Sequence, residues 1–122
     1  MSTVIESQTA RVDYKDYVGD TICVRVGYAE ENGANVNLTG YIVTATVYSN
    51  VDVEIPFLSY DQLSGKLKTT DPTYNISFDI TSSETIELGE GRFAYAIKLT
   101  DPLGYVNTLV NGLIILTNRD FA

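Results

Sequence analysis

Residues 81–112 read TSSETIELGEGRFAYAIKLTDPLGYVNTLVNG, and this stretch decides the fold. Thr81-Ser82-Ser83-Glu84 has the form of a capping box. The Thr81 hydroxyl can accept from a helical N–H, and the Glu84 carboxylate can reach back to the cap. The pattern stops at Leu88-Gly89, so the helix is about one turn long. Over residues 92–100 the period becomes two. Phe93, Tyr95, Ile97 and Leu99 fall on one face, and Arg92, Ala94, Ala96 and Lys98 on the other. Asp101-Pro102-Leu103-Gly104 is a turn in which Pro102 fixes φ. Strands resume over 105–110 and 113–116, and Gly112 is expected to be a bulge or kink between them.

The same period-two pattern extends toward the N-terminus. Over residues 21–28, Ile22, Val24, Val26 and Tyr28 share one face, opposite Thr21, Cys23, Arg25 and Gly27. Asn32-Gly33 then signals a turn. Residues 41–48 carry apolar groups on both faces, with Tyr41, Val43, Ala45 and Val47 on one of them, which predicts a central, well-covered strand. Residues 53–58 are a weaker strand candidate, where Pro56 removes a donor and favours an edge. Residues 65–69 are short and polar. Over residues 75–80, Ile76, Phe78 and Ile80 point inward and Asn75, Ser77 and Asp79 outward. Short strands at regular spacing, separated by turn signals, predict an all-β antiparallel sandwich with one short helical turn.

With 122 residues the chain is expected to form a single domain over 1–122, with short extended terminal arms. It is large enough to bury a core without staples. The one cysteine, Cys23, excludes an internal disulfide and is expected to be a buried or half-buried structural thiol. No secretory signal is expected at the start, and the triplets at Asn37 and Asn75 are read as chance glycosylation matches. A net charge of −8 disfavours nucleic acid and anionic membranes as partners. It implies either solubility and repulsion between free copies, or a basic partner surface.

The absence of histidine removes the usual general base, the usual zinc ligand and every histidine-based triad. Asp13, Asp16 and Asp20 cluster near the first turn, and Asp52 and Glu54 share a strand face. Neither group has the spacing of a calcium loop. Gly89-Glu90-Gly91 is followed by a strand and has no adjacent lysine, so it is a corner and not a phosphate loop. No catalytic residue, cofactor or metal is expected, and the protein is read as no enzyme. The tyrosines Tyr14, Tyr17, Tyr60 and Tyr74, placed in or near loops, are the candidate contact residues. Ile5 and Phe121, on the two terminal segments, join them. Tyr28, Tyr41 and Tyr95 are expected in the core.

Three segments carry a family resemblance. Gly19-Asp20-Thr21 opens a long strand, and Val36-Asn37-Leu38-Thr39-Gly40 precedes the next. The third runs through Thr81, Glu84, Thr85, Leu88, Gly91, Phe93 and Tyr95 to Leu99-Thr100-Asp101, Gly104, Val106, Thr108 and Gly112. Together they resemble the immunoglobulin-like domain at the N-terminal end of phage baseplate upper proteins and related small structural proteins of tailed phages. The likeness spans roughly residues 19–112, and the chain looks like a stand-alone copy of the module. It implies an immunoglobulin-like β-sandwich and a virion location. It further implies a role as adaptor or cementing module on tail, baseplate, neck or capsid. The partners would be other virion proteins, met as a symmetric homo-oligomer or in many copies. A carbohydrate- or host-surface-binding module is the alternative, with Tyr60 and Tyr74 as its test residues.

Overall fold

The computed structural model describes residues 10–29, 33–34, 36–48, 56–70 and 74–118. Its elements are β1 (Ala10–Arg11), β2 (Tyr14–Tyr17), β3 (Ile22–Val26), β4 (Ile42–Tyr48) and β5 (Pro56–Asp61). β6 (Leu67–Lys68), β7 (Ile76–Ile80), α1 (Ser82–Leu88), β8 (Gly91–Thr100) and β9 (Val106–Thr117) follow. The larger sheet has the order β1-β9-β8-β4-β5, with β2 also on β9, and the smaller has the order β3-β7-β6. This distribution of strands over two facing sheets, with the last two strands forming a hairpin beside β4, is an immunoglobulin-like sandwich.

Alternation builds the core. Ile22, Val24, Ile76, Phe78 and Ile80 from the small sheet meet Val43, Ala45, Val47, Phe93, Tyr95, Ile97 and Leu99 from the large one. Tyr60 on β5 stacks on Phe78 of β7 across the sandwich, with ring centroids 4.8 Å apart. The helix starts as its sequence demands. Thr81 accepts from the Glu84 N–H, the Glu84 carboxylate accepts from the Thr81 N–H, and Gly89 closes the other end. The buried Thr85 hydroxyl accepts from the Gly19 N–H at 3.0 Å and lies 2.9 Å from the Asp20 carbonyl, which ties α1 to the turn before β3.

Several expectations are corrected. The sheet is not wholly antiparallel, because β1 and β2 run parallel to β9 and cover its outer edge. β4 is central, between β5 and β8, but no described layer covers its second face, and Ile42 is exposed. Cys23 is exposed because the outer face of the small sheet is likewise open. Asn75 is buried, for it lies just before the strand and turns inward to bond the backbone. The edge strand with Pro56 runs on to Asp61, beyond residue 58. Asp52 and Glu54 lie outside the described residues.

Gly112 is not the bulge. It pairs in register with Tyr95, while the shift falls opposite Ile97 and Lys98, where Val110 and Thr108 are the partners and Leu109 is the extra residue. That insertion lets consecutive residues Leu109 and Val110 both be buried. Gly112 is required for a different reason. A Cβ there would lie 2.0 Å from the Val12 carbonyl oxygen. The same oxygen accepts a hydrogen bond from the Tyr95 hydroxyl at 2.5 Å. The missing side chain makes room for the segment between β1 and β2 to turn in and bond to the core.

Replacing Gly112 by Ala should therefore displace that segment and destabilise the protein by at least about 2 kcal/mol. Urea unfolding would give the loss. Hydrogen exchange should place the lost protection at residues 10–17.

Candidate functional site

The hairpin between β8 and β9 is held by one carboxylate. Asp101 Oδ1 accepts from the N–H groups of both Leu103 and Tyr105 at 2.9 Å. The Gly104 N–H donates to the Asp101 carbonyl, and the Asp101 N–H donates to the Tyr105 carbonyl. Gly104 has φ +93°, a conformation that glycine adopts without strain. The result is a preorganised tip on which Leu103 is 83% and Tyr105 68% exposed.

Neighbouring strands widen the tip into a patch. Ile42 pairs with Thr100, and Thr100 with Val106, so the three form one cross-strand row on the outer face of the large sheet. Adjacent strands lie about 4.8 Å apart, which puts Ile42 and Val106 about 10 Å from each other. Both are exposed. Gly40 lies against Pro102, its would-be Cβ 3.5 Å from the proline ring, so the segment before β4 flanks the same turn. Val36 and Leu38 in that segment are buried and anchor it to the core. Asn75 fastens it from beneath. Its side chain accepts from the Tyr28 N–H at 2.7 Å and donates to the carbonyls of Tyr28 and Val36 at 2.9 and 3.0 Å.

The candidate contact residues fare unevenly. Tyr60 is not in a loop. It is 2% exposed on β5, and its hydroxyl donates to Glu84 Oε1 at 2.9 Å. It is a core residue that steadies the helix cap, and its ring is too buried to serve as a surface platform. Tyr14 and Tyr17 lie on β2 and not in a loop. Tyr14 is half-buried with its ring 5.8 Å from that of Tyr95, while Tyr17 is exposed. Tyr74 is exposed, next to Asn75 at the end of the sandwich that carries the tip. Ile5 and Phe121 lie outside the described residues. These tyrosines do not converge on one platform. Tyr28 and Tyr95 are buried and Tyr41 packs against the core, as expected.

The patch of Ile42, Leu103, Tyr105 and Val106 is not what the tyrosines alone point to. One signal for it exists in the chain. An apolar residue in the middle of a proline turn, as Leu103 is, cannot reach the core. Among the described residues, no group of three or more His, Cys, Asp or Glu side chains could hold a metal ion. Asp13 bonds the Leu113 N–H and lies 3.5 Å from Arg11, so it clamps the β2–β9 pairing.

Burial raises the hydroxyl pKa of Tyr60 well above the ordinary tyrosine value, with the hydrogen bond to Glu84 and its negative charge adding to the effect. Tyr95 is raised in the same direction by burial, then by Tyr14 and Asp13, against a smaller opposing effect of Arg11. Burial also raises Tyr14.

No protein-family profile matches the sequence, and no curated protein matches it. Among solved structures, murine CRIg is similar over 90% of this chain and 92% of its own, at 15% identity and a TM-score of 0.42. Drosophila OTK extracellular domains 3–5 are similar over 88% of this chain but only 33% of theirs, at 10% identity and a TM-score of 0.40. The immunoglobulin-like fold rests on the strand order described above, and neither likeness bears on what this chain does.

Asn75→Ala removes three buried hydrogen bonds, although the Tyr28 carbonyl keeps the one from the Val36 N–H, and should lower stability by about 2 kcal/mol, read by chemical denaturation. A tyrosine whose folded pKa is raised binds its proton more tightly folded than unfolded. Its contribution is complete below about pH 10 and is lost as pH rises further, by up to about 1.4 kcal/mol per pH unit for each such tyrosine. Denaturation midpoints measured from neutral pH upward should fall above about pH 10, and the fall should be shallower in Tyr60→Phe.

Proposed function

We propose that the protein is a non-enzymatic structural component of a tailed-phage virion. It acts as an adaptor or cementing module on tail, baseplate, neck or capsid and is present in many copies at symmetric positions. The observation that carries the reading is the rigid apolar tip. Leu103, Tyr105, Ile42 and Val106 stand in water on a scaffold whose turn is bonded in place, so docking them loses little conformational entropy. Exposed apolar patches of this kind mark interaction surfaces. The virion assignment is supported by the resemblance over residues 19–112.

The residues of that resemblance turn out to be joints of the fold. Gly19 and Asp20 meet Thr85, Gly40 meets Pro102, and Thr81 meets Glu84. They support lineage through architecture, while Val106, also one of the resemblance residues, is exposed and belongs to the contact surface. The carbohydrate-binding alternative loses Tyr60 as a platform residue, since that ring is in the core.

Mass spectrometry of purified particles should find the chain, and its absence would end the proposal. A double variant, Leu103→Asp with Tyr105→Asp, should fold with unchanged circular dichroism yet fail to incorporate into particles. Normal incorporation of that variant would show that the tip is not the docking surface.

A further inference from the structure

The outer face of the small sheet carries a second surface, remote in charge and chemistry from the apolar tip. Register sets its layout. Arg25 pairs with Ser77 and Ser77 with Lys68, which gives one cross-strand row. In the next row Cys23 pairs with Asp79, and Asp79 and Lys66 line the same cleft. Arg25, Lys66 and Lys68 line a cleft of about 380 Å³ together with Ser77, Thr81 and two carboxylates, Asp79 and Glu84, the latter engaged by the Tyr60 hydroxyl and the Thr81 N–H. The whole chain has 8 basic residues against 16 acidic ones, so three cations around one cleft run against its overall charge. Arg25 is neutralised by Asp79 at 3.0 Å. Lys66 and Lys68 make no ion pair among the described residues and are exposed.

Two further features narrow the ligand. Lys68 lies in β6 and Lys66 in the bend just before it; both are exposed, on either side of the buried Leu67, with Cα atoms at most about 7 Å apart. An extended peptide repeats at the same interval, so carboxylates on alternate residues would face both ammonium groups. β6 also ends its sheet, and among the described residues no strand pairs with its other side. A peptide can continue the ladder from such an edge through its own N–H and C=O groups. A polyphosphate or an acidic polysaccharide carries the charge without that ladder.

We propose that the β6 edge and its cleft bind an extended acidic peptide segment with carboxylates at alternate positions, supplied by a partner protein. The peptide adds a strand to the small sheet, and Lys66 and Lys68 pair with its acidic side chains. This does not rest on the virion reading, and the test uses the isolated chain.

Lysines beside a short edge strand also serve to block unwanted pairing, and the experiment separates the two roles. The probe is a fluorescently labelled hexapeptide of alternating glutamate and valine, followed by anisotropy on the full chain. Saturable binding is expected, weakened at least about tenfold between about 0.05 and about 0.5 M salt. Lys66→Glu with Lys68→Glu should weaken it at least about tenfold while leaving the circular dichroism unchanged. A hexapeptide of the same composition with its glutamates contiguous should bind at least about threefold more weakly. The proposal fails if the alternating peptide shows no saturation up to about 1 mM. It fails if the double variant binds as well as the parent chain. It fails if the contiguous peptide or polyphosphate competes equally, since charge alone would then explain binding. Self-association of the double variant, with no peptide binding by the parent chain, would assign the lysines to edge protection instead.

Discussion

Ile22, Val24, Phe78 and Ile80 from one sheet interlock with Val43, Ala45, Val47, Tyr95 and Ile97 from the other. No covalent staple joins them, because the chain has a single cysteine and that cysteine is exposed. Immunoglobulin domains of antibodies place an inter-sheet disulfide at the centre of this contact. Here apolar burial and ring stacking do the same work, with the Tyr60–Phe78 pair spanning the gap. The tip and the basic face are both positioned by that contact, since each sits on or at the end of strands whose inward halves are committed to it.

Polar groups fix the places where apolar packing has no directional preference. Glu84 uses one carboxylate oxygen for both the Thr81 N–H and the Tyr60 hydroxyl, so a helix cap and a core ring share one acceptor. Asn75 substitutes for a missing strand neighbour by bonding three backbone groups of the connection between β3 and β4. Tyr95 reaches Val12 across the space left by Gly112. Each of these groups is buried or half-buried, where an unpartnered polar atom is expensive, and each therefore selects one arrangement over its neighbours.

The surface reading diverged most from the expectations drawn from the chain. Tyr60 falls two residues beyond the strand that alternation marks at 53–58, whereas the strand continues past it and buries it. Asn75 looked outward because it continued an alternation that begins only at Ile76. Tyr14 and Tyr17 were set in a loop because their pairing is parallel to a strand about 100 residues away, which leaves no hairpin signal nearby. The exposed row of Ile42 and Val106 depends on two strands that are distant in sequence.

The chain alone specified the strands that form hairpins or alternate clearly, the short capped helix and the core faces, because side-chain period, capping boxes and proline turns are set by residues a few positions apart. The inward residues of β3, β4, β7 and β8 are the ones that alternation marks. Sheet membership, the parallel closure by β1 and β2, the bulge at Leu109 and the need for Gly112 arose only in three dimensions. So did the apolar tip and the basic face. Cross-strand neighbours are chosen by which faces fit together across the whole fold, and a surface exists only after those neighbours have been brought side by side.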